Sequence, residues 1–344
     1  MISIRELAAA CGISISTVSK ALNNQKDVSE KTRERVRKKA EELGYFPNSA
    51  AKALKTSRTQ NIGVLFADEA HSGLTHDFFS HVLDSFKRTI EEHDYDMTMI
   101  NCSSGRARNM TYLEKARSRS FDGIIIACID FADPQVRELL DSDIPVVMID
   151  YLYDGRIGVC SDNVGGMREL VEYVYGMGHR KIAYIHGADS SVTKARLSSF
   201  LVTSEQLGLH IPEEYVLEGA YRSTDDAYRM TMKLLDLPDP PTCILYPDDF
   251  ASFGGINAIR ERGMDIPADI SIAGYDGIRI GRHVVPQLTT IRQDTEAIGA
   301  TAAEKLIGLI ESPRTTIIQP VTIPGTLYEG SSVRDIREDA QKRT

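Results

Sequence analysis

From Asn61 onward the chain alternates short apolar runs with amphipathic stretches, and it does so in two rounds. NIGVLFA begins the first round, followed by a helical stretch near 77–93, YDMTMIN, a second helical stretch near 107–119, DGIIIAC and IPVVMID. After Cys160 the rhythm restarts with MRELVEYVYGMGH, KIAYIHG, a helix at 193–208, TCILYPDD, a helix at 251–263 and ISIAGYD. Strands of this length joined through helices run parallel, because a parallel pair needs a long crossover and a helix supplies it. The pattern therefore predicts an α/β body of two doubly wound parallel-sheet lobes. A ligand would lie in the crevice at the strands' carboxyl ends.

The first 60 residues have a different texture. They hold 12 Lys and Arg against 6 Asp and Glu, whereas the remaining chain holds 28 against 43. A basic head on an acidic body suits a module that reads DNA. Ser3-Ile4-Arg5-Glu6 reads as a capping box that starts a helix with Ile4, Leu7, Ala8 and Cys11 on one face, and Gly12 supplies the turn. Ser14 caps a second helix with Val18 and Leu22 inward, and a third runs from Ser29 to about Leu43, ending at Gly44. Two short helices about a glycine turn, braced by a third, make a helix-turn-helix, so the head is all-α. Ser14, Ser16, Thr17 and Ser19 offer hydroxyls to phosphates and base edges, and Lys20 adds charge or a guanine contact.

Between head and body lies YFPNSAAKALKTS. Asn48 can cap a helix from Ser49, yet two turns are marginal in water, where isolated helices need about 12–15 residues. Ala50, Ala51, Ala53 and Leu54 are too small an apolar set to anchor it, so its completion has to come from outside.

Other classes find little support. No apolar run approaches the ~18 residues of a membrane span, and MISIRELAAACG lacks the layout of a secretory signal. The five cysteines are scattered without CxxC or a Cys/His cluster, which predicts reduced thiols and no structural zinc. There is no GxSxG, HExxH or Walker loop, and GYDGIRIG lacks the dinucleotide-binding spacing, so no enzyme and no cofactor is expected. His71, His76 and His81 fall on no common helical face. SSVRDIREDAQKRT carries no leucine heptad for a C-terminal coiled coil.

IRELAAACGISISTVSKALN, then VSEKTRERVRKKAEELGYFPNSAAKAL, resembles the DNA-binding head of the lactose-repressor/galactose-repressor family. SDNVGGMRELVEYVYGMGHRKIAYIHG, PDDFASFGGINAIRERGMDIPADISIAGYDG and PQLTTIRQDTEAIGATAAEKL resemble that family's effector-binding core, which has the periplasmic-binding-protein-like fold. The resemblance implies a head at 1–46, a hinge helix and linker at 47–60, a body at 61–330 and a polar tail at 331–344. The first lobe would take about 61–160 and 292–320, and the second 161–291 and 321–330.

For the head, the resemblance implies base reading by Ile15 and Ser16, with Lys20 one turn on and Ser14, Thr17, Ser19 and Asn23 among the DNA-facing residues. Ser49, Ala51, Leu54 and Lys55 would bind the minor groove with a second subunit's copy, Leu54 acting as a wedge that partly unstacks a central step. For the body, it implies effector contacts from Phe78, Phe79, Asp150, Arg196, Tyr221, Asp248, Asp249 and Asp276. Carboxylates that accept from hydroxyls, a guanidinium that donates to neighbouring oxygens and aromatic faces suit a neutral mono- or disaccharide. So many carboxylates also oppose a phosphorylated ligand. The expected molecule is a cytoplasmic, nucleoid-associated homodimeric repressor on a near-palindromic operator, which effector releases or secures. A phosphocarrier-protein corepressor, used by some members, is not indicated by these residues.

Overall fold

The computed structural model describes residues 2–46, 58–67, 73–100 and 110–337. The chain forms two compact units, Met1–Gln60 and Asn61–Thr344.

In the head, α1 (Ile4–Cys11), α2 (Ile15–Leu22) and α3 (Glu30–Leu43) each begin at a serine. Ser3 accepts from the Glu6 amide while the Glu6 carboxylate accepts from the Ser3 amide at 2.7 Å, closing the capping box. Gly12 and Gly44 end α1 and α3 at φ near +62°, the left-handed position that favours glycine. Leu7, Ala8, Val18, Ala21, Val28, Val36 and Ala40 form the buried core, with Leu22 and Leu43 at its edge.

The body contains two six-stranded sheets. The first has the order β11-β5-β4-β3-β1-β2, from β1 (Asn61–Phe66), β2 (Asp96–Ile100), β3 (Gly123–Cys128), β4 (Val146–Ile149), β5 (Ile157–Ser161) and β11 (Val321–Ile323). The second has the order β12-β10-β9-β8-β6-β7, from β6 (Ile182–His186), β7 (Val216–Glu218), β8 (Cys243–Leu245), β9 (Ser271–Asp276), β10 (Thr289–Arg292) and β12 (Thr326–Tyr328). Every pairing is parallel except β10 with β12, which is antiparallel. The central strands are buried along most of their length, because helices cover both faces.

Those helices are α4 (Asp77–Glu91), α5 (Tyr112–Ser118), α6 (Pro134–Leu140), α7 (Asn163–Gly176), α8 (Ser191–Gln206), α9 (Thr224–Leu235), α10 (Asp249–Glu261) and α11 (Thr295–Glu311). In the first lobe α11 packs closely on α4. A Cβ on Gly299 would stand 2.3 Å from the Val82 carbonyl oxygen, and Ser85 Oγ donates to the Glu296 carbonyl at 2.7 Å. The chain passes between sheets after β5, after β10 and between β11 and β12.

Two expectations change here. The resemblance puts residues 321–323 in the second lobe, but they pair with β5 and extend the first sheet; the crossover to β12 comes one short loop later. Nor does the polar tail at 331–344 stand wholly apart from the body. Ser332 is buried and its Oγ donates to the Ile272 carbonyl at 2.7 Å, Val333 is buried, and the Ile336 amide donates to the Met177 carbonyl at 2.8 Å. A polar sequence hides this docking because most of the bonds use backbone groups.

Candidate functional site

In the head, Ser14 Oγ accepts from the Thr17 amide at 3.1 Å and shares a 2.8 Å hydroxyl contact with Thr17 Oγ1. These two residues therefore start α2 as well as facing outward. Ile15 is 44% exposed and Ser16 is exposed, while Val18 and Ala21 on the opposite face are buried. Ile15 therefore adds little to the core of the head. Lys20 is paired with Asp27, and Asn23 Nδ2 donates to the Ser19 carbonyl at 2.7 Å. Sequence alone did not reveal this pairing with Asp27. Ser49, Ala51, Leu54 and Lys55 lie outside the described residues.

In the body, Arg196 is packed inside the second lobe among Asn163, Tyr275 and Asp276. It is buried, its guanidinium lies 3.5 Å from the Tyr275 ring centroid, Nε donates to Asn163 Oδ1 at 2.8 Å and Nη1 donates to the Pro247 carbonyl at 2.9 Å. Its Nη2 points toward Asp276 Oδ1 at 3.9 Å. Asp276 ends β9 at φ +99° and accepts from Gln293 Nε2 at 2.6 Å. Gln293 Oε1 in turn accepts from the Ser161 hydroxyl, and the Ser161 amide donates to Asp150 Oδ1 at 2.8 Å. One polar chain thus runs Arg196–Asp276–Gln293–Ser161–Asp150 through two of the crossovers. Burial pushes the Asp150 carboxyl up to about 6, and it pushes Asp276 upward too, although Arg196 opposes that shift.

Asp150 at φ +52°, Arg222 at +58° and Asp276 at +99° are three non-glycine residues in strained backbone regions, each near the lobe interface. Such positions cost about 1–3 kcal/mol apiece and cluster where function requires a fixed geometry. Tyr221 packs against backbone, since a Cβ on Gly187 would stand 2.2 Å from its ring, and its hydroxyl meets Thr193 Oγ1 at 2.9 Å.

Asp248 and Asp249 turn out differently from a pair of ligand carboxylates. Asp248 is the N-cap of α10: Oδ1 accepts from the Ala251 amide and Oδ2 from the Arg222 amide, both at 2.7 Å. Asp249 has no exposed surface and accepts from the Ile278 amide at 2.8 Å; burial holds its carboxyl well above the usual range. Both carboxylates hold loops beside the cleft. Phe78 is 6% exposed and belongs to the first-lobe core, while Phe79 is half-buried against Phe66, His76 and Phe78. The structure therefore links Arg196, Asp276 and Asp150 in one polar chain, with Tyr221 6.0 Å from the Arg196 guanidinium, and uses Asp249 and most of Phe78 for packing.

Sequence reasoning missed Ser161, Asn163, Arg222 and Gln293. Arg222 Nη1 reaches across the lobes to Asp77 Oδ2 at 3.0 Å, and Ser191 Oγ donates to the Asp150 carbonyl at 3.1 Å. The available signal was positional: SDN and RQD are polar triplets where strands meet the lobe crossovers.

Two mirrored parallel-sheet lobes with a polar cleft, preceded by a helix-turn-helix, define a regulator with a DNA-reading head and a ligand-sensing body. Residues 3–48 match the model for bacterial regulatory proteins of the lacI family, and residues 171–333 match a periplasmic binding protein-like domain. The chain is 30% identical over 319 residues to a probable HTH-type transcriptional repressor, ExuR, of Bacillus subtilis (strain 168), covering 92% of this chain and 93% of that one. It is 28% identical over 346 residues to the HTH-type transcriptional repressor PurR of Escherichia coli O139:H28, covering 98% and 100%. Among solved structures, the lac repressor dimer bound to operator and the anti-inducer ONPF superposes with a TM-score of 0.81 at 26% identity, covering 97% and 99%. A lacI-family regulator from Enterococcus faecium with bound ribose gives a TM-score of 0.69 at 25% identity, covering 80% of this chain and 100% of that one.

The chain belongs to the lacI family of bacterial regulatory proteins. It is a DNA-binding transcriptional repressor with an effector-binding body, and not an enzyme. Among the described residues no helix is long and apolar enough to cross a membrane.

Proposed function

We propose that the chain works in the cytoplasm as a homodimer on a near-palindromic operator, under the control of a sugar bound between the lobes. Two-fold protein symmetry asks for two half-sites of matching symmetry. Ile280 and Val285, 56% and 82% exposed on the β9–β10 segment, offer apolar surface for a second subunit. The observation that carries the sensing role is the polar chain from Arg196 to Asp150. It joins both lobes through the crossovers, and two of its members, Asp276 and Gln293, line a cavity there.

An effector shifts DNA binding only by its unequal affinity for two lobe arrangements. Rearranging the first lobes alters the separation of the two linkers, and with it the pairing of Ser49–Lys55 segments in the minor groove. Lys55 would neutralise phosphate there, Ser49 and Ala51 would contact the groove, and Leu54 would enter the base stack. In the major groove Ile15 would touch a thymine methyl, while Ser14, Ser16, Thr17, Ser19, Lys20 and Asn23 divide base and phosphate contacts. Within the cleft, Arg196 and Asp276 would bind sugar hydroxyls, with Asp150 and Tyr221 beside them. The partial surfaces of Phe78 and Phe79 would border the site, whereas Asp248 and Asp249 would position its loops.

Selection of operator sequences from a random duplex pool, with and without monosaccharides, tests this reading. A symmetric preferred site whose occupancy changes with one sugar is the expected result; recovery of asymmetric or unrelated sequences would overturn it.

A further inference from the structure

The cavity at the lobe interface carries more positive charge than a neutral ligand requires. Its volume is about 210 Å³. Ordinary ligand pockets span roughly 300–1,000 Å³, so the space suits a monosaccharide rather than a disaccharide. Helix α4 contributes Asp77 and His81, the β9–β10 segment contributes Arg279 and Arg282, and the crossover contributes Arg292 and Thr295. Asp276 also lines it, and so joins this cavity to Arg196.

The two carboxylates of the lining are already engaged. Asp77 pairs with Arg222 at 3.0 Å, and Asp276 accepts from Gln293 at 2.6 Å with Arg196 at 3.9 Å. Arg279, Arg282 and Arg292 have no carboxylate partner among the described residues; Arg282 lies 5.6 Å from the Tyr328 ring centroid, which leaves its N–H groups free to donate in-plane. Arg279, Arg282 and Arg292 all line one small cavity, and an anion bound there would accept paired N–H bonds from their guanidiniums. Thr295 is the first residue of the 17-residue α11, whose Ala297 amide is already capped by Asp294. Of the carboxylates that weigh against a charged ligand, Asp248 accepts from the Ala251 and Arg222 amides and Asp249 Oδ2 from the Ile278 amide, and neither lines this cavity.

We propose that the effector is a monosaccharide bearing an acidic group, a carboxylate or a phosphate, held by Arg279, Arg282 and Arg292 while Asp276 takes its hydroxyls. The assignment rests on the sugar-effector reading and narrows it.

The test is calorimetric titration of the full-length protein with glucose and galactose, the corresponding uronates and the corresponding 6-phosphates. It is repeated on the double variant Arg282→Gln/Arg292→Gln, with thermal melting to establish that the variant is folded. The expected result is binding of a uronate or a 6-phosphate, weakened by salt, and weakened by roughly tenfold or more in the double variant, as loss of charge-assisted hydrogen bonds requires. Which acid binds distinguishes carboxylate from phosphate. Binding of a neutral sugar alone would overturn the acidic assignment and leave the sugar reading standing. Acid binding that the double variant does not weaken would overturn the arginine assignment, and no binding by any of the six would remove both.

Discussion

Arg222 was unremarkable as a sequence letter, yet it fastens the two lobes together. Its amide is held by Asp248, its φ is +58°, its guanidinium lies 4.5 Å from the Phe250 ring centroid and its Nη1 reaches Asp77. Part of Asp77 is exposed, so the bridge adds little to global stability, at most about 1 kcal/mol in the range of surface pairs. Its effect falls on the equilibrium between lobe arrangements. Arg222→Ala should leave the chemical-denaturation midpoint nearly unchanged while speeding effector release several-fold in stopped-flow measurements. A large fall in the midpoint with unaltered release would mean the contact is merely structural. Asp249 teaches the converse: a carboxylate beside a strand end resembles a ligand contact in sequence, but its burial and the Ile278 amide make it an internal brace.

At the level of elements, the head follows local rules that sequence states directly. Ser3, Ser14 and Ser29 cap, Gly12 and Gly44 terminate, and the apolar positions recur at helical spacing. The segment 47–57 lies outside the described residues, and its sequence, with Ala50, Ala51, Ala53 and Leu54 as its apolar set, offers little to anchor it. Replacing Leu54 with Ala is therefore expected to weaken specific operator binding by tenfold or more, with the weak electrostatic binding to random duplex largely retained. Fluorescence anisotropy on both duplexes checks this; equal losses on the two would refute the wedge. Ile15→Ala should instead change which bases are preferred, since that residue is exposed at the start of α2.

Across the whole molecule, buried ionisable groups make stability depend on pH in two opposing ways. The folded-state value of Asp150 is raised from 3.8 to about 6, so folding takes up a proton between those values. Its contribution is most favourable below pH 4 and is lost as pH rises through 6. His179, whose ring meets Thr242 Oγ1 and the Arg334 carbonyl, is depressed by burial from 6.5 to about 4. That contribution is present above pH 6.5 and is lost as pH falls toward 4. The difference in melting temperature between wild type and Asp150→Asn isolates the first effect. Wild type should gain on the variant steadily as pH falls from 7 to 4, and a flat difference would show that Asp150 is not buried in this way.

Period and punctuation were local properties, so the sequence by itself determined the helix-turn-helix, the alternating strands and helices and the existence of two lobes. It also pointed to Asp276, which closes a strand, whereas Arg196, inside α8, was named only through the family resemblance. Only the tertiary structure decided which carboxylates remain available at the interface, that β11 completes the first sheet, that 331–337 docks on the second, and that Arg222 and Gln293 connect the lobes. These outcomes depend on contacts between residues far apart in the chain and on backbone amides, whose availability no side-chain pattern records.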